Sequence, residues 1–498
     1  MELNFNTTMK KFNFYILCLL GLWLIVGLSC SRAAEKSDKP LNVLFITIDD
    51  LRPTLGCYNA PLIKSPNIDA IASEGIVFER AYCQAAICAP SRPSFLSGLR
   101  PDSTGVYGFK KTFREKAPNV VTLPELFKNK GYLSTYYGKV FHSDKPDPQS
   151  WSREGHITEP KAWRGYVLKE SKILDSIGIA TPGPPQFGPA FEMADAPDEA
   201  YPDSWIADSA ILVLEEVAET GQPFFLAVGF IKPHLPFVAP KKYWDLYDPA
   251  EIQIPEYLIM PEGSPLYSIN RPGGITTRYS GFEDPKHVSE EMTLKLNHGF
   301  LASISFVDTQ FGRVIDKLKE LGLYDNTLIV VLGDHGQKVG EYGAFMKNSN
   351  FEIDTRAPLI MNCPGKRDKA RRTNALVEMV DIYPSICELT GIEKPAHLQG
   401  TSLNALWEHP DMEWTDYAFS QRQVDDYLGN TMRTDRYRFV VWTLFEDRDS
   451  IVAIELYDHE TDPLETINIA PNPENKDLVN KLLAEYYPAW KRSLQTRK

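Results

Sequence analysis

The chain is poor in cysteine: seven in 498 residues do not make a disulfide framework. Cys57, Cys83, Cys363 and Cys387 are candidates for pairing, and the sequence does not say how they would pair. A basic excess is also lacking. Lys and Arg number 53 against 66 Asp and Glu, and the formal charge of −13 excludes a global positive field of the kind that holds nucleic acid or another polyanion. An anionic substrate would need a local cationic pocket instead. There is no internal repeat and no low-complexity tract, so stacked-repeat architectures are excluded. Histidine is scarce, nine in all, which gives weight to those that fall beside strand ends. Apolar residues are abundant: at 43% hydrophobic the chain can build a large core. Its length suits one large α/β domain with a smaller companion, or two to three conventional domains.

Long apolar runs are rare, and the longest stands near the N-terminus. Lys10-Lys11 precede an apolar stretch over 12–28 that ends in Gly27-Leu28-Ser29-Cys30. Small residues before a Cys are the pattern of a bacterial lipoprotein signal, with Cys30 as the lipidated first mature residue. A plain signal cut near Ala33-Ala34 and an uncleaved anchor are the alternatives, since the run is about long enough to span a bilayer. The expectation is a signal peptide over 1–30, a polar tether over 31–40, and an exported protein. It would lie in the periplasm or on a membrane of a Gram-negative bacterium, touching lipid only through Cys30.

From residue 41 the pattern is that of an α/β chain. Residues 42–48 are a continuous apolar, β-branched run ending in Asp49-Asp50, as suits a strand buried on both faces of a mostly parallel sheet. Similar runs occupy 224–229 and 327–332, the latter leading to Asp334-His335. Helical periodicity lies between them, at 124–131, 203–220 and 292–321. The expected fold is a large, mostly parallel sheet sandwiched by helices over 41–408. Stretches 145–200 and 247–290, rich in Pro, Gly and acid, are expected to be surface insertions shaping a cleft. After 408 the pattern changes. Residues 437–443 and 451–457 alternate like antiparallel strands and 478–492 has helical period, giving a small C-terminal α+β domain over 409–498.

The motif with the most chemistry is Ile87-Cys88-Ala89-Pro90-Ser91-Arg92-Pro93-Ser94-Phe95-Leu96-Ser97-Gly98. A Cys with Pro two residues on and Arg four residues on is the recognition pattern for oxidation of that Cys to formylglycine. The aldehyde hydrates to a geminal diol. One hydroxyl can attack a sulfate ester, and the other, once deprotonated, can expel the bound sulfate and regenerate the aldehyde. Maturation would then need a formylglycine-generating enzyme as partner. Asp49-Asp50 end a buried strand, and two adjacent buried carboxylates are costly unless a cation pairs them. Asp334-His335-Gly336 ends another. Asp49, Asp50, Asp334, His335 and modified Cys88 could together ligate one divalent ion; oxygen-rich ligation favours Ca²⁺ or Mg²⁺, and the imidazole leaves room for Mn²⁺ or Zn²⁺. Further cations and proton carriers come from Lys139 and His142 in Gly138-Lys139-Val140-Phe141-His142, from His234 in Lys232-Pro233-His234-Leu235-Pro236-Phe237, and from Lys347.

With these residues quoted, the chain resembles the type I sulfatases of the alkaline phosphatase superfamily, and within them the iduronate-2-sulfatase branch. The resemblance is carried by Ile48-Asp49-Asp50-Leu51-Arg52-Pro53, Ser65-Pro66-Asn67-Ile68-Asp69-Ala70 and the Cys88 segment. Gly138–His142, Phe225-Leu226-Ala227-Val228-Gly229, Lys232-Pro233-His234 and Ser349-Asn350-Phe351 continue it, and Glu455-Leu456-Tyr457-Asp458 extends it towards residue 470. It implies the metal ligands named above, with Ca²⁺ as the ion. It also implies that Arg92 holds the diol, Lys139 and Lys347 grip sulfate oxygens, His142 takes the proton of the second hydroxyl, and His234 protonates the leaving sugar oxygen. The substrate implied is a sulfated carbohydrate bearing uronic acid, a 2-O-sulfate above all, from a glycosaminoglycan or from algal ulvan. The sequence departs from the branch at Gln337, where a Trp is expected after Asp-His-Gly, and in the turn Gly340-Glu341-Tyr342-Gly343-Ala344-Phe345, which lacks the expected His and Trp. A phosphodiesterase or phosphonate monoester hydrolase of the same superfamily is the competing enzyme, and a glycan-binding lipoprotein with a decayed site the competing non-enzyme.

Overall fold

Seven consecutive residues without a charge, Asn42–Ile48 (β1), form a strand buried along its whole length. The computed structural model describes residues 39–142, 146–155, 162–269 and 274–496; the proposed signal, Cys30 and most of the tether lie outside them. β1 sits inside a sheet completed by Ile76–Tyr82 (β2), Leu133–Gly138 (β3), Phe224–Phe230 (β4), Thr327–Gly333 (β5), Leu359–Asn362 (β6) and Arg371–Glu378 (β7). The order is β7-β2-β6-β5-β1-β4-β3. β1 runs parallel to β4 and β5, β3 parallel to β4, and β7 parallel to β2; β6 alone is reversed, between β2 and β5.

The period-two alternation of β1 divides the core. Leu44, Ile46 and Ile48 pack with Ile206 and Val213 of helix Pro202–Thr220 and with Phe300 and Ile304 of helix Glu290–Glu320. Val43 and Phe45 face the other way, against Phe95 of helix Cys88–Ser97 and Ile382 of helix Ile382–Thr390. Apolar side chains on both faces make this a three-layer sandwich, as the uninterrupted hydrophobic runs predict.

Ala418–Val424 (β8), Tyr427–Arg433 (β9), Tyr437–Leu444 (β10) and Ile451–Asp458 (β11) form an antiparallel meander. Helix Lys476–Ser493 covers it through Leu482, Tyr486 and Ala489. Buried ions lock this sheet to the chain on either side of it. Arg438 pairs with Glu352 and Glu465 and donates to the Asn350 carbonyl at 2.8 Å, while Asn350 Nδ2 donates to the Gly429 carbonyl at 3.1 Å. The described chain from Leu41 onwards is one compact unit.

The expected α/β class with an antiparallel C-terminal sheet is what folds. The sequence does not single out β2, β3, β6 and β7: polar or charged residues interrupt β2, β3 and β7, and β6 is mostly apolar but only four residues long. The 145–200 stretch is more structured than a surface insertion: it holds helix Lys169–Ala180, strand Phe187–Pro189, and strand Phe191–Ala194 paired with Phe237–Pro240. Cys57, Cys83, Cys88, Cys363 and Cys387 are all free thiols.

Candidate active site

The strands parallel to β1 deliver their carboxyl ends to one edge of the sheet, where open α/β sheets place their sites. Ile48 is in register with Phe230 and Gly333, so β1 and β5 leave the sheet side by side and release Asp49-Asp50 and Asp334-His335 together. β3 releases Lys139 and His142, and β4 releases Lys232 and His234. Cys88 is the first residue of helix Cys88–Ser97, all ten residues of which are buried. Lys347 follows a short hairpin of Lys338–Val339 against Phe345–Met346.

One ligand atom from each of Asp49, Asp50, Cys88 and His335 lies within 4.8 Å of the others. Asp334, expected in the same set, borders this quartet. Its Oδ1 accepts from Asp50 N at 3.0 Å, and its Oδ2 lies 3.0 Å from Arg92 Nη2 and 3.5 Å from His335 Nε2. All three carboxylates and His335 are fully buried. His335 Nδ1 donates to the Gly336 carbonyl at 2.9 Å, which turns Nε2 towards Cys88 Sγ at 3.3 Å. Burial pulls this imidazole down, yet Asp334, Cys88 and Asp50 outweigh it and raise it to about 10. Asp334 Oδ2 is buried and receives no hydrogen bond. Such a donor set, with lone pairs in excess of protons, fits a divalent cation.

Three basic side chains balance the acids. Lys139 Nζ reaches Asp49 Oδ2 at 2.5 Å and Cys88 Sγ at 3.6 Å, and Lys347 Nζ lies 2.7 Å from both oxygens of Asp50. Arg92, wholly buried, binds Asp49 Oδ1 at 2.8 Å and the Lys139 and Val140 carbonyls. Burial favours the neutral Asp49 carboxyl, but Lys139 and Arg92 hold it well below the usual range. The guanidinium expected to hold the diol at Cys88 also braces Asp49 and Asp334.

His234 is half-buried in the same field. Burial, then Lys347 and Lys139, press its imidazole well below the ordinary value. Its Nδ1 donates to the Leu235 carbonyl at 2.5 Å, so Nε2 is the nitrogen able to exchange a proton with a ligand. His142 shares a cavity wall with Ala89, the neighbour of Cys88. Its ring lies 5.1 Å from that of Phe109, on a cavity of about 240 Å³ whose walls include Ala89, next to Cys88, and Lys111. A wider groove of about 780 Å³, walled by Arg80, Trp414 and Tyr437, contains none of the predicted site residues.

Several supporting residues escaped sequence reasoning. Thr47 Oγ1 donates to the Lys139 carbonyl at 3.1 Å; a polar residue in an otherwise apolar strand was its signal. Ser91 Oγ, inside the Cys88 motif, donates to the Asp334 carbonyl at 2.6 Å. Asp203 accepts from the backbone of Ile231 at 2.5 Å and Lys232 at 3.3 Å, and buried Lys232 donates to the carbonyls of His234 and Pro236 at 3.0 and 2.7 Å. Burial pushes Asp203 up to about 6 and Lys232 down to about 8. Nothing local to Asp203 in the sequence marks it.

Comparison with known proteins agrees with this geometry. Residues 41–392 match the Sulfatase family, and residues 340–489 match the C-terminal part of N-sulphoglucosamine sulphohydrolase. Iduronate 2-sulfatase of Mus musculus is 32% identical, over 93% of this chain and 97% of the mouse protein. A sulfatase of Formosa agariphila is 33% identical over 94% of this chain and 90% of its own. The solved phosphonate monoester hydrolase of Silicibacter pomeroyi superposes with a TM-score of 0.75 at 24% identity, over 91% of this chain and 96% of that one, a likeness of fold. With a family match over most of its length and relatives above 30% identity across nearly the whole chain, this protein belongs to the sulfatases and is a sulfuric ester hydrolase.

Proposed function

We propose that the protein removes sulfate from a uronic-acid-containing carbohydrate, with a 2-O-sulfated uronate as preferred substrate, by a formylglycine mechanism at Cys88. The observation that carries this reading is the convergence of Cys88 Sγ, two carboxylates and His335 within one buried quartet flanked by Lys139, Lys347 and Arg92. The 2-O-sulfated uronate is supported by the identity with iduronate 2-sulfatase; a glycosaminoglycan and ulvan both contain uronic acid. Asp49, Asp50, Asp334, His335 and oxidised Cys88 are the residues that would hold a divalent cation, for which we propose Ca²⁺. Bound there, it would lower the pKa of the attacking hydroxyl and polarise the sulfate. Oxidised by a formylglycine-generating enzyme and hydrated, Cys88 would supply two hydroxyls on one carbon, one to attack sulfur and one to drive sulfate release.

The chain's own groups do the rest. Lys139 and Lys347 bind the sulfate oxygens and offset the charge that builds on them. Arg92 holds the diol and pairs with Asp49 and Asp334 behind it. Once a sulfate anion offsets Lys347 and Lys139, His234 can take up a proton at Nε2 and deliver it to the sugar oxygen as it leaves, and His142 removes the proton of the second hydroxyl. Export through the segment ending at Cys30, with lipidation of that residue and a periplasmic or membrane-bound location, completes the proposal.

The test is substrate profiling of the purified, matured protein with mass analysis of its Cys88 peptide. The expected results are a peptide lighter than the unmodified one and the highest kcat/KM on a 2-O-sulfated uronate disaccharide, above a 6-O-sulfated glucosamine and far above an aryl phosphodiester. An aldehyde-bearing protein that cleaves the diester faster than every sulfate ester would overturn the reading in favour of a phosphodiesterase. A preference for 6-O-sulfate would overturn the proposed sugar.

A further inference from the structure

We infer that Trp163 is a positioning residue for the general acid: it fixes the ring of His234 so that Nε2 addresses the leaving oxygen. The inference rests on the proton-donor reading of His234 and extends it to a residue outside the motif-bearing strands. The Trp163 ring meets the His234 imidazole edge to face, with centroids 5.1 Å apart and planes at 89°.

Trp163 is itself held firmly. The Arg164 guanidinium lies 5.0 Å from the Trp163 ring centre and 5.0 Å from that of Phe187. Arg164, almost fully buried, is anchored by Asp175 of helix Lys169–Ala180 at 2.8 Å. Asp175 also accepts from the Gly188 backbone at 3.1 Å, and Phe187 packs on Tyr279 at 5.6 Å. The helix, the strand Phe187–Pro189 and the Trp163 turn therefore behave as one braced unit that meets the imidazole through Trp163.

The opposite side of His234 is organised differently. Lys232 and Asp203 fix the backbone around it, as described above, but they do not touch the ring. The ring is oriented by Nδ1 on the Leu235 carbonyl and by the aromatic contact. A general acid works only when its nitrogen comes within about 2.6–3.2 Å of the atom that receives the proton. A single hydrogen bond leaves the imidazole able to swing about Nδ1; a perpendicular indole against it removes that freedom. Misplacement by about 1 Å is enough to cost on the order of a hundredfold in rate.

The experiment compares kcat/KM on a sulfated sugar, whose alcohol leaves poorly, and on nitrophenyl sulfate, whose phenolate leaves readily. It uses full-length, formylglycine-bearing Trp163→Ala and Trp163→Phe, each in the native and the His234→Ala backgrounds. For Trp163→Ala the ratio of sugar to aryl activity is expected to fall about 10- to 100-fold. Trp163→Phe, which keeps an aromatic edge, is expected to recover most of that ratio. In the His234→Ala background, Trp163→Ala is expected to add no further change in the ratio, because the two residues act as a unit. Turnover of the aryl sulfate reports that each variant is folded and matured. Equal losses on both substrates would reduce Trp163 to a structural residue. A ratio that still falls in the His234→Ala background would mean that Trp163 contacts the sugar directly, and would also overturn the inference. If His234→Ala alone leaves the ratio unchanged, the general-acid reading fails first and takes this inference with it.

Discussion

The proposed roles put Lys347 and His234 at opposite ends of the bond that breaks, and their contacts make the division testable. Lys347 grips Asp50 through both oxygens and would hold sulfate, which every substrate shares. His234 presents Nε2 and would serve the leaving alcohol, which substrates do not share. His234→Ala is therefore expected to lower kcat/KM on a sulfated sugar by about 10²- to 10⁴-fold and to affect nitrophenyl sulfate far less. Lys347→Ala is expected to lower both by similar factors. Steady-state kinetics on the two substrates checks this, and parallel losses in the His234 variant would leave it a positioning group only. At this scale the sequence was most legible where the chemistry needs residues close together in the chain. Cys88 to Arg92 spans about one helix turn, and Asp49-Asp50 and Asp334-His335 are adjacent pairs. Trp163 was not legible, because its partner is brought to it by folding and its own neighbourhood has the composition of a surface loop.

Elements place these side chains through backbone contacts that tolerate little change. At the ends of β3 and β4 the Lys139 backbone N donates to the Gly229 carbonyl at 2.8 Å. A Cβ at Gly229 would lie 2.2 Å from the Lys139 carbonyl carbon, and one at Gly138, where φ is +73°, would lie 2.2 Å from the Gly229 oxygen. The crossing admits glycine alone on both sides. Gly229→Ala is expected to cost about 1–3 kcal/mol of stability by overpacking. It should also lower activity on both substrates together, because it moves Lys139 Nζ and the carbonyl that Arg92 binds. Urea unfolding and kinetics on the same preparation would check it; a variant that is less stable but fully active would separate the crossing from the site. β1, β4 and β5 were readable in advance because strands buried on both faces write themselves as apolar runs. β2, though internal, carries half-buried Glu79 and Arg80, and the edge strand β7 carries Arg371 and Arg372, so charged residues blur the same signal.

Across the whole molecule the site gathers residues that lie far apart in the chain. Asp50 and Lys347 are bonded across 297 positions, and the stretch after Lys347 is held by Arg438 and Gly429 of the C-terminal meander. A cation bound to the acidic quartet would tie these segments together, so it should stabilise the fold as well as the chemistry. Treatment with EGTA is expected to lower both activity and the melting temperature, and Ca²⁺ to restore both; a free ligand at a hundred times its Kd contributes about 2.7 kcal/mol. Asp50→Asn is a clean control. Asp50 has φ of 61°, a conformation asparagine shares without strain, so the variant removes charge and leaves the backbone alone. It is expected to shrink the Ca²⁺-dependent rise in Tm, read by calorimetry. A metal-free preparation with full activity and unchanged Tm would remove the cation from the account. The sequence announced the sandwich and its companion sheet, but not that they share buried ions, since such pairs are fixed by tertiary contact.

Cys88 is 2% exposed, at the start of a helix buried along its entire length. Oxidation of that residue, the maturation step proposed above, needs a second protein to reach the thiol and the Pro90 and Arg92 beyond it. The finished fold offers no such approach, because Arg92 has become part of the interior. On that proposal, maturation and folding would be ordered in time. Each newly made chain would have one interval in which its helix is still an open peptide, and a molecule that closed before it was oxidised would keep a thiol for its lifetime. The fraction of active enzyme in a preparation would then report a race between two rates, and faster folding would yield more protein with less activity.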